Sequence, residues 1–399
     1  MNTATPFIIF LNIGLNAVCE AFGMKKWLRI ENNSHNKIVY SLKELLLIII
    51  LWITAALLFV FIKLNGLSDS YVTQGYQLYN WVSVMRIYSV AFLLSGLIGI
   101  PMGIMHLYIY PAVNKKRFIF TLSFRLLNVL LLVLFVSAVY YHFFYNGDLH
   151  SFNFSLMMSV SVYALLVEGF ITIVLLLKRN LGIGYFSDFF KSSYLTPSEE
   201  ERVFLFLDMI DSTPLIQQLG SFRYSRLMQD CFTDLSDAVL RYNGLLYQFV
   251  GDEAVITWKT SKDFKFSDSL DFYFAYLQIL ETKKDYYTDK YGILPRFRAS
   301  VNSGNVTIAL VGDIKREIAY YGNVLNICSR LQKLSDNNQN QIIISENFYN
   351  NIRECKHYHF YPIIGFSLKG IPDINKAYGV HQKPTLLTLK CELSTSPNG

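Results

Sequence analysis

Long apolar runs fill the first 180 residues of the chain, whereas the apolar runs after residue 200 are short. Four of the long runs could cross a hydrocarbon layer about 30 Å thick as a helix. They are residues 45–63, 87–110, 124–144 and 156–177. The short runs alternate with segments of helical periodicity, which is typical of a mixed domain. The pattern predicts an α-helical membrane bundle of four spans followed by a soluble α+β domain.

The soluble half begins with a buried strand at 203–207 and a helix that runs to about residue 242, with Thr213 and Pro214 at its start. A hairpin of two strands then turns at residues 251–253. The order strand, helix, hairpin, helix, strand predicts a ferredoxin-like sheet with additions. The other predicted elements are the hairpin strands 245–250 and 254–258, helices at 268–291 and 324–334, and strands at 296–301, 306–311, 317–321, 341–345 and 357–363.

Basic side chains cluster on one side of the four predicted spans. They precede the first span, separate the second from the third and follow the fourth: Lys25, Lys26, Arg29, Lys37, Lys43, Lys115, Lys116, Arg117, Lys178 and Arg179. The other loops, 64–85 and 144–154, contain no Lys or Arg. The positive-inside rule therefore predicts a multi-pass protein of the cell inner (cytoplasmic) membrane with both termini in the cytoplasm.

The net charge of +6 follows from this distribution. The soluble half lacks the basic, aromatic-interleaved patch of a nucleic-acid-binding protein, so the expected partners include a lipid bilayer and no nucleic acid. The five cysteines are scattered and have no CxxC spacing. They are typical of reduced thiols rather than of a disulfide framework or a metal centre.

These features divide the chain into five segments. They are a cytosolic N-terminal segment (1–43), a transmembrane domain (44–180), a linker (181–199), a soluble domain (200–382) and a C-terminal tail (383–399). Within the first segment, polar residues interrupt the apolar stretch 7–23, which favours an interfacial helix over a fifth span. Gly182 is expected to end the fourth helix. Glu168, inside the fourth span, is either a functional carboxylate or one that hydrogen-bonds to a neighbouring helix.

Two aspartates, Asp208 and Asp252, each follow an apolar strand. If strands 203–207 and 246–250 are neighbours, the two carboxylates converge at one edge of the sheet. Such a pair suits Mg²⁺ or Mn²⁺ together with substrate phosphates. The segment after Asp208 leads into a helix N-terminus, where backbone N–H groups could bind a triphosphate; it contains Ile210, Asp211, Ser212 and Thr213. Either aspartate alone is equally explained as a turn residue.

A second pair, Asn326 and Arg330, is spaced four residues apart, so on a helix both side chains share one face. Together they could hold a ribose oxygen and stabilise charge on a transferring phosphoryl group. A solvated helix face is the alternative interpretation.

Taken together, these residues resemble the catalytic domain of class III nucleotide cyclases, the adenylyl and guanylyl cyclase family. Four blocks occur in the family's order, FLFLDMIDST, YQFVGDEAVITW, SVNSGNVTIALVG and YYGNVLNICSRLQ, followed by SLKGI. The resemblance covers residues 200–382. It implies a cyclase domain of the membrane-anchored bacterial type, which converts a nucleoside triphosphate into a 3′,5′-cyclic nucleotide and pyrophosphate.

The resemblance also implies roles for individual residues. Asp208 and Asp252, with the Met209 carbonyl, match the positions that hold two divalent cations, Mg²⁺ or Mn²⁺. Lys369, in the LKG turn, matches a lysine that contacts the terminal phosphates.

Asn326 matches the asparagine that orients the ribose, and Arg330 the arginine that stabilises the transition state. In this family the aspartates and the Asn–Arg pair of one site come from different subunits. Because this chain carries both sets, the resemblance implies a homodimer with two equivalent sites.

The base-recognition positions depart from the family pattern. Gln248 stands where adenylyl cyclases typically have Lys and guanylyl cyclases Glu, and Ala319 where Asp, Thr or Cys is typical. Gln can donate to and accept from a base edge, and backbone groups beside Ala319, at Ile318 and Tyr320, could read the base. ATP is the expected substrate, with GTP or a pyrimidine nucleotide as alternatives.

Three other interpretations remain open at this stage. The GDE sequence at 251–253 is similar to the GGDEF motif of diguanylate cyclases, but Val250 and Ala254 replace its flanking residues. A degenerate cyclase that only binds nucleotide or regulates a partner is a second possibility. The membrane module could be an anchor, a dimerising device or a receptor that acts through the linker.

Overall fold

The computed structural model describes residues 35–65, 81–110, 118–145, 154–182, 194–334, 342–364 and 376–383. The predicted interfacial helix 7–23, the C-terminal tail after residue 383 and Lys369 lie outside these ranges. Most of the linker does so as well.

Four helices of the N-terminal half are long and apolar enough to cross a membrane. They are α1 (His35–Asn65), α2 (Trp81–Ile104), α3 (Phe118–Tyr145) and α4 (Phe154–Leu181). Gly182 adopts a positive φ of 85° directly after α4, a conformation that favours glycine and ends a helix. The structure therefore confirms the four predicted spans and the predicted end of the last one.

A buried polar cluster joins three of these helices. At the end of α2 a π-helical turn, Met105–Ile109, carries His106, whose Nε2 lies 2.9 Å from Oε1 of Glu168 on α4. The same carboxylate oxygen accepts a longer bond from Thr172, and Arg125 of α3 donates to the Thr172 hydroxyl, both at 3.4 Å. Glu168 is thus hydrogen-bonded to a neighbouring helix, as one of its two interpretations predicted.

The soluble half is built on a mixed sheet, which confirms the predicted α+β class. In the described residues it has eight strands in the order β2-β3-β1-β4-β6-β8-β7, with β5 paired to β4. The strands are β1 (Ser198–Met209), β2 (Leu245–Val250), β3 (Glu253–Lys259), β4 (Phe297–Val311), β5 (Glu317–Tyr321), β6 (Ile342–Ser345), β7 (Tyr358–Ile364) and β8 (Lys376–Gln382).

Helices cover both faces of this sheet. They are α5 (Ser212–Arg241), α6 (Ser267–Thr282), α7 (Lys284–Tyr291), α8 (Asn323–Leu334) and α9 (Glu346–Ile352). Successive side chains of a strand point to opposite faces. On β1, Leu205 and Leu207 therefore pack into the large core with α5 and α6, whereas Phe204 and Phe206 pack against Cys328 of α8. Asp208 continues the α8 face.

Two predicted elements are wrong in their extent. The helix expected at 268–291 is two helices, because Lys283 leaves the helical region with φ −101° and ψ 17°. The strands expected at 296–301 and 306–311 are one strand, β4. The intervening polar residues suggested a loop, but Asn302 is buried and donates from Nδ2 to the Val324 carbonyl of α8 at 3.0 Å.

Two further elements, α9 and β8, were not predicted. The start of α5 also differs: it begins at Ser212, after Asp211 in a left-handed conformation (φ 58°), and not at Thr213 and Pro214.

Candidate active site

The end of β1 carries an acidic group between two charged cross-strand neighbours. Antiparallel register sets Asp208 opposite Glu253 of β3 on one side and opposite Arg298 of β4 on the other. Directly opposed residues share one face of the sheet. Arg298 donates from Nε and Nη2 to Oδ2 of Asp208 at 3.0 and 2.7 Å, so this carboxylate is fixed by its neighbouring strand.

Asp252 reaches the same place through a tight hairpin. Gly251, with φ 65°, and Asp252 form the turn between β2 and β3. Strands 203–207 and 246–250 are not neighbours in the sheet, because β3 returns between them. The aspartates nevertheless meet at one edge, since Glu253 opens β3 directly opposite Asp208.

The resulting acid cluster, defined as Asp208, Asp252 and Glu253, is electrostatically strained. Partial burial raises the pKa of Asp208, and the charge of Asp252 raises it further against the opposing effect of Arg298. Burial raises the pKa of Glu253 to about 7, with contributions from Asp208 and Asp252. A positive charge close to these three carboxylates would reduce their mutual repulsion.

The cluster fits a divalent cation of the hard, oxygen-seeking kind. Its donors are carboxylate oxygens, which Mg²⁺ and Mn²⁺ prefer, and Mg²⁺ usually completes its shell with water and substrate phosphates. Within the described ranges no three or more His, Cys, Asp or Glu side chains are grouped so that they could hold a metal ion together. The candidate ligands are therefore the two aspartates, Asp208 and Asp252, with Glu253 beside them. Met209 buries its side chain in the core, so its predicted role rests on the carbonyl.

The segment from Ile210 to Thr213 turns the chain from β1 into α5. The Ile210 N–H donates to the Arg296 carbonyl at 2.9 Å, and Arg296 pairs with the exposed Asp211 at 3.1 Å. Ser212 starts the helix and is half-buried, while Thr213 is exposed. The predicted phosphate-binding residues thus lie shortly after Asp208 of the acid cluster along the chain.

Helix α8 is fixed over the sheet and presents the predicted Asn–Arg pair. Its carbonyls at Val324 and Cys328 accept hydrogen bonds from the buried side chains of Asn302 and Ser300, at 3.0 and 2.7 Å. Asn326 is exposed and Arg330 is half-buried. The helix face that packs on β4 is therefore distinct from the one that carries these two side chains.

The positions predicted to contact the base lie on β2 and β5, which are not neighbours in the sheet. Gln248 is exposed on β2, just after a bulge at Tyr247, and the half-buried Ala319 of β5 pairs with Ala309 of β4. The ring of Tyr320 is buried and lies 4.8 Å from that of Tyr247. The side chain of Tyr320 is thus part of the core, and only its backbone is available to a base.

Sequence reasoning missed one member of the acid cluster, Glu253, and two residues beside it, Arg298 and Tyr224. The sequence pattern places Glu253 in the hairpin turn and gives it no separate role. The signal for Arg298 was available, because it alternates with Ser300 and Asn302 on one face of a strand. Tyr224 of α5 carried no such signal; burial, with the nearby Asp252 charge, raises its pKa to about 12.

Residues 196–382 match the family model described as the adenylate and guanylate cyclase catalytic domain. This region is a class III nucleotide cyclase catalytic domain. Over 196 residues the chain is 34% identical to Adenylate cyclase 2 of Rhizobium meliloti (strain 1021), a stretch that covers 49% of this chain and 54% of that protein. The chain therefore spans about half the length of this curated relative.

Solved cyclase structures also match the cyclase domain. The adenylyl cyclase CyaB from P. aeruginosa is 19% identical, with a TM-score of 0.42 over 48% of this chain and 98% of that one. The guanylate cyclase domain of RhGC from Catenaria anguillulae, in complex with GTP, is 17% identical, with a TM-score of 0.40 over 47% of this chain and 100% of that one. Neither likeness assigns a substrate to this cyclase domain.

Proposed function

We propose that the protein is a membrane-bound nucleotide cyclase that converts ATP into 3′,5′-cyclic AMP and pyrophosphate. The observation that carries the proposal is the acid cluster at the end of β1, inside a domain of this family. Asp208 and Asp252 would hold two divalent cations, Mg²⁺ or Mn²⁺. When bound, the cations would neutralise the triphosphate and the charge that develops at the α-phosphate.

In the reaction the ribose 3′-oxygen forms a bond to the α-phosphorus, and the bond from that phosphorus to the leaving pyrophosphate oxygen breaks. The hydroxyl proton leaves to water. The Asn326 amide orients the ribose, and the Arg330 guanidinium stabilises the negative charge of the transition state. The N-terminal turn of α5, at Ser212 and Thr213, and Lys369 bind the leaving phosphates.

The site is assembled at the interface of a homodimer. Support comes from α8, which uses one face to pack on its own sheet and keeps Asn326 exposed on another. The exposed Asn326 and the half-buried Arg330 of one helix face could serve the acid cluster of a second copy. Each dimer then contains two equivalent sites, and a monomer contains none.

ATP is favoured over GTP by the adenylate cyclase relative, and the chemistry at Gln248 is compatible with either purine. The exposed Gln248 amide can accept from the adenine amino group and donate to a ring nitrogen. Ala319 supplies no side-chain hydrogen bond, so backbone groups at Ile318 and Tyr320 complete the contacts with the base.

The membrane assignment rests on the four apolar helices and on the basic residues that flank them. Under the positive-inside rule these basic residues favour an inner-membrane protein with both termini on the cytoplasmic side. The cyclase domain then lies where nucleoside triphosphates are present.

The test uses purified full-length protein with Mn²⁺ or Mg²⁺, offered ATP, GTP, CTP and UTP separately. Mass spectrometry identifies the cyclic product and pyrophosphate. Asp252→Asn should abolish the product, whereas Asp263→Asn, at an exposed position outside the site, should not. A cyclic nucleotide other than cyclic AMP would overturn the choice of ATP and keep the reaction.

The second candidate is a regulatory domain that binds nucleotide without turning it over. It is favoured by one observation, the absence of a hydrogen-bonding side chain at Ala319. Binding of a fluorescent ATP analogue with no product from any of the four nucleotides would select it.

A further inference from the structure

A buried chain of contacts runs from the end of the linker to the region that reads the base. Tyr194, in the part of the linker that the structure describes, donates its hydroxyl to Oε1 of Glu200 at 3.1 Å. The other oxygen of Glu200, Oε2, accepts from Nε and Nη2 of Arg202 at 3.0 and 2.8 Å. Glu200 therefore couples Tyr194 to Arg202.

Arg202 is an unusual residue for its position. Its side chain is 2% exposed, in the middle of β1, and its Cζ lies 5.1 Å from the centre of the Tyr320 ring. A buried guanidinium is stabilised by an ion pair and by an aromatic face. Arg202 has both, in Glu200 and in Tyr320.

The Tyr320 ring links this guanidinium to both base-reading positions. Tyr320 follows Ala319 in β5, and its ring packs edge-on against Tyr247, the residue before Gln248, at 4.8 Å. A displacement of the Tyr320 ring would therefore change the distance between the backbone of β5 and the bulge of β2.

A backbone contact brings Tyr194 to the same strand pair by a second route. The Tyr194 carbonyl accepts from the Leu310 N–H of β4 at 2.9 Å. Leu310 is adjacent to Ala309, the register partner of Ala319. Tyr194 thus contacts the carboxylate that pairs with Arg202 and also strand β4, which pairs with the strand that carries Ala319.

We propose that Arg202 is a positioning residue for base recognition and that Tyr194 sets its orientation through Glu200. This rests on the proposed function, since it assigns a role in selecting the nucleotide of that same site. Movement of the linker would displace Tyr194, and with it the Arg202–Tyr320 contact. The membrane domain would then act on nucleotide affinity and base preference.

The test compares the wild type with four variants of the full-length protein. Arg202→Met keeps an unbranched apolar side chain and removes the guanidinium, and Tyr194→Phe removes only the hydroxyl. Lys262→Met is the matched control, because Lys262 is an exposed lysine after β3 and lies outside the Tyr194–Glu200–Arg202 contacts. The measurements are KM and kcat for ATP and GTP, the Kd of a fluorescent ATP analogue, and the melting temperature.

Arg202→Met should raise the KM for ATP by about fivefold to tenfold, the size expected for loss of one desolvated cation–π contact. It should lower the preference for ATP over GTP and change kcat by less than about twofold. Tyr194→Phe should give a smaller shift in the same direction, about twofold to threefold. Lys262→Met should leave KM and preference unchanged, and Arg202→Lys should recover part of the loss.

A purely structural role predicts a different result. The melting temperature and the active fraction would fall, while KM and base preference of the remaining enzyme would stay at the wild-type values, and that outcome overturns the proposal. If wild-type protein turns over none of the nucleotides but binds the analogue, the cyclase assignment fails and the change in Kd decides the role of Arg202. If it does not bind the analogue, both proposals fail.

Discussion

Arg298 holds the carboxylate of Asp208 from the neighbouring strand, with Nη2 2.7 Å from Oδ2. The contact follows from register, because these two residues stand directly opposite each other in the β1–β4 ladder. Arg298 thereby supplies a positive charge to a cluster of three acids.

Replacing Arg298 should destabilise the metal-free protein. In Arg298→Met the acid cluster loses this partner, and the expected cost at pH 7 is about 1–3 kcal/mol. Saturating Mn²⁺ should restore most of the loss, because a cation can replace the guanidinium charge. Thermal unfolding with and without Mn²⁺ measures both effects. Arg316→Met, at an exposed arginine between β4 and β5, serves as the control.

Glu253 should make stability depend on pH. Its pKa rises from 4.5 to about 7 on folding, so the folded state favours the protonated acid. The stabilisation is complete below about pH 4.5 and is lost as the pH rises through about 7.

The Glu253→Gln variant should therefore be more stable than wild type at pH 8, by on the order of 1–2 kcal/mol after allowance for screening. The difference should vanish near pH 4.5. Unfolding curves across this range provide the measurement. An equal difference at both pH values, or the same change in the exposed Glu354→Gln variant, would contradict the prediction.

The two halves of the proposed site should complement each other between subunits. Asp252→Asn and Arg330→Ala should each lower kcat by about 100-fold or more, because each removes a group that acts on the transition state. Mixed in equal amounts and allowed to exchange subunits, they should recover about a quarter of wild-type activity, since half of the dimers are mixed and each has one intact site. No recovery, with exchange demonstrated, would place the whole site within one chain.

Within the membrane half, Glu168→Ala should weaken the packing of α2 against α4. The substitution leaves the buried imidazole of His106 without its carboxylate partner, and the expected cost is about 1–3 kcal/mol. Thermal unfolding in detergent measures it. Leu166→Ala, at a side chain that is 67% exposed on the same helix, should have little effect in detergent and is the control.

The convergence of Asp208 and Asp252 was predictable from the sequence, because each follows an apolar run and each run indicates a strand. The reason given for it was wrong. The strand order depends on whether β2 or β3 of the hairpin pairs with β1. Both strands are apolar, so the sequence pattern does not show that β3 is the one next to β1.

Strand β4 shows where local patterning fails. Asn302 and Ser303 are polar and are followed by Gly304, a combination typical of a turn. In the fold Asn302 bonds both to α8 and to Ser345 of β6, so its burial is compensated only by partners distant in sequence. For the same reason the pairing of Arg298 with Asp208 could not be derived before the strands were placed.

The continuity of β4 has a consequence for communication between the two sites of the proposed dimer. One end of this strand carries Arg298, against the acid cluster, and the other carries Ala309, opposite the base-reading position of β5. In the proposed dimer the acids and the Asn–Arg pair of one site come from different subunits. Each β4 bonds both to Asp208, through Arg298, and to α8, through Asn302, so a shift of either strand would reach both sites. Nucleotide binding to the dimer should therefore be cooperative, with the occupancy of one site changing the affinity of the other.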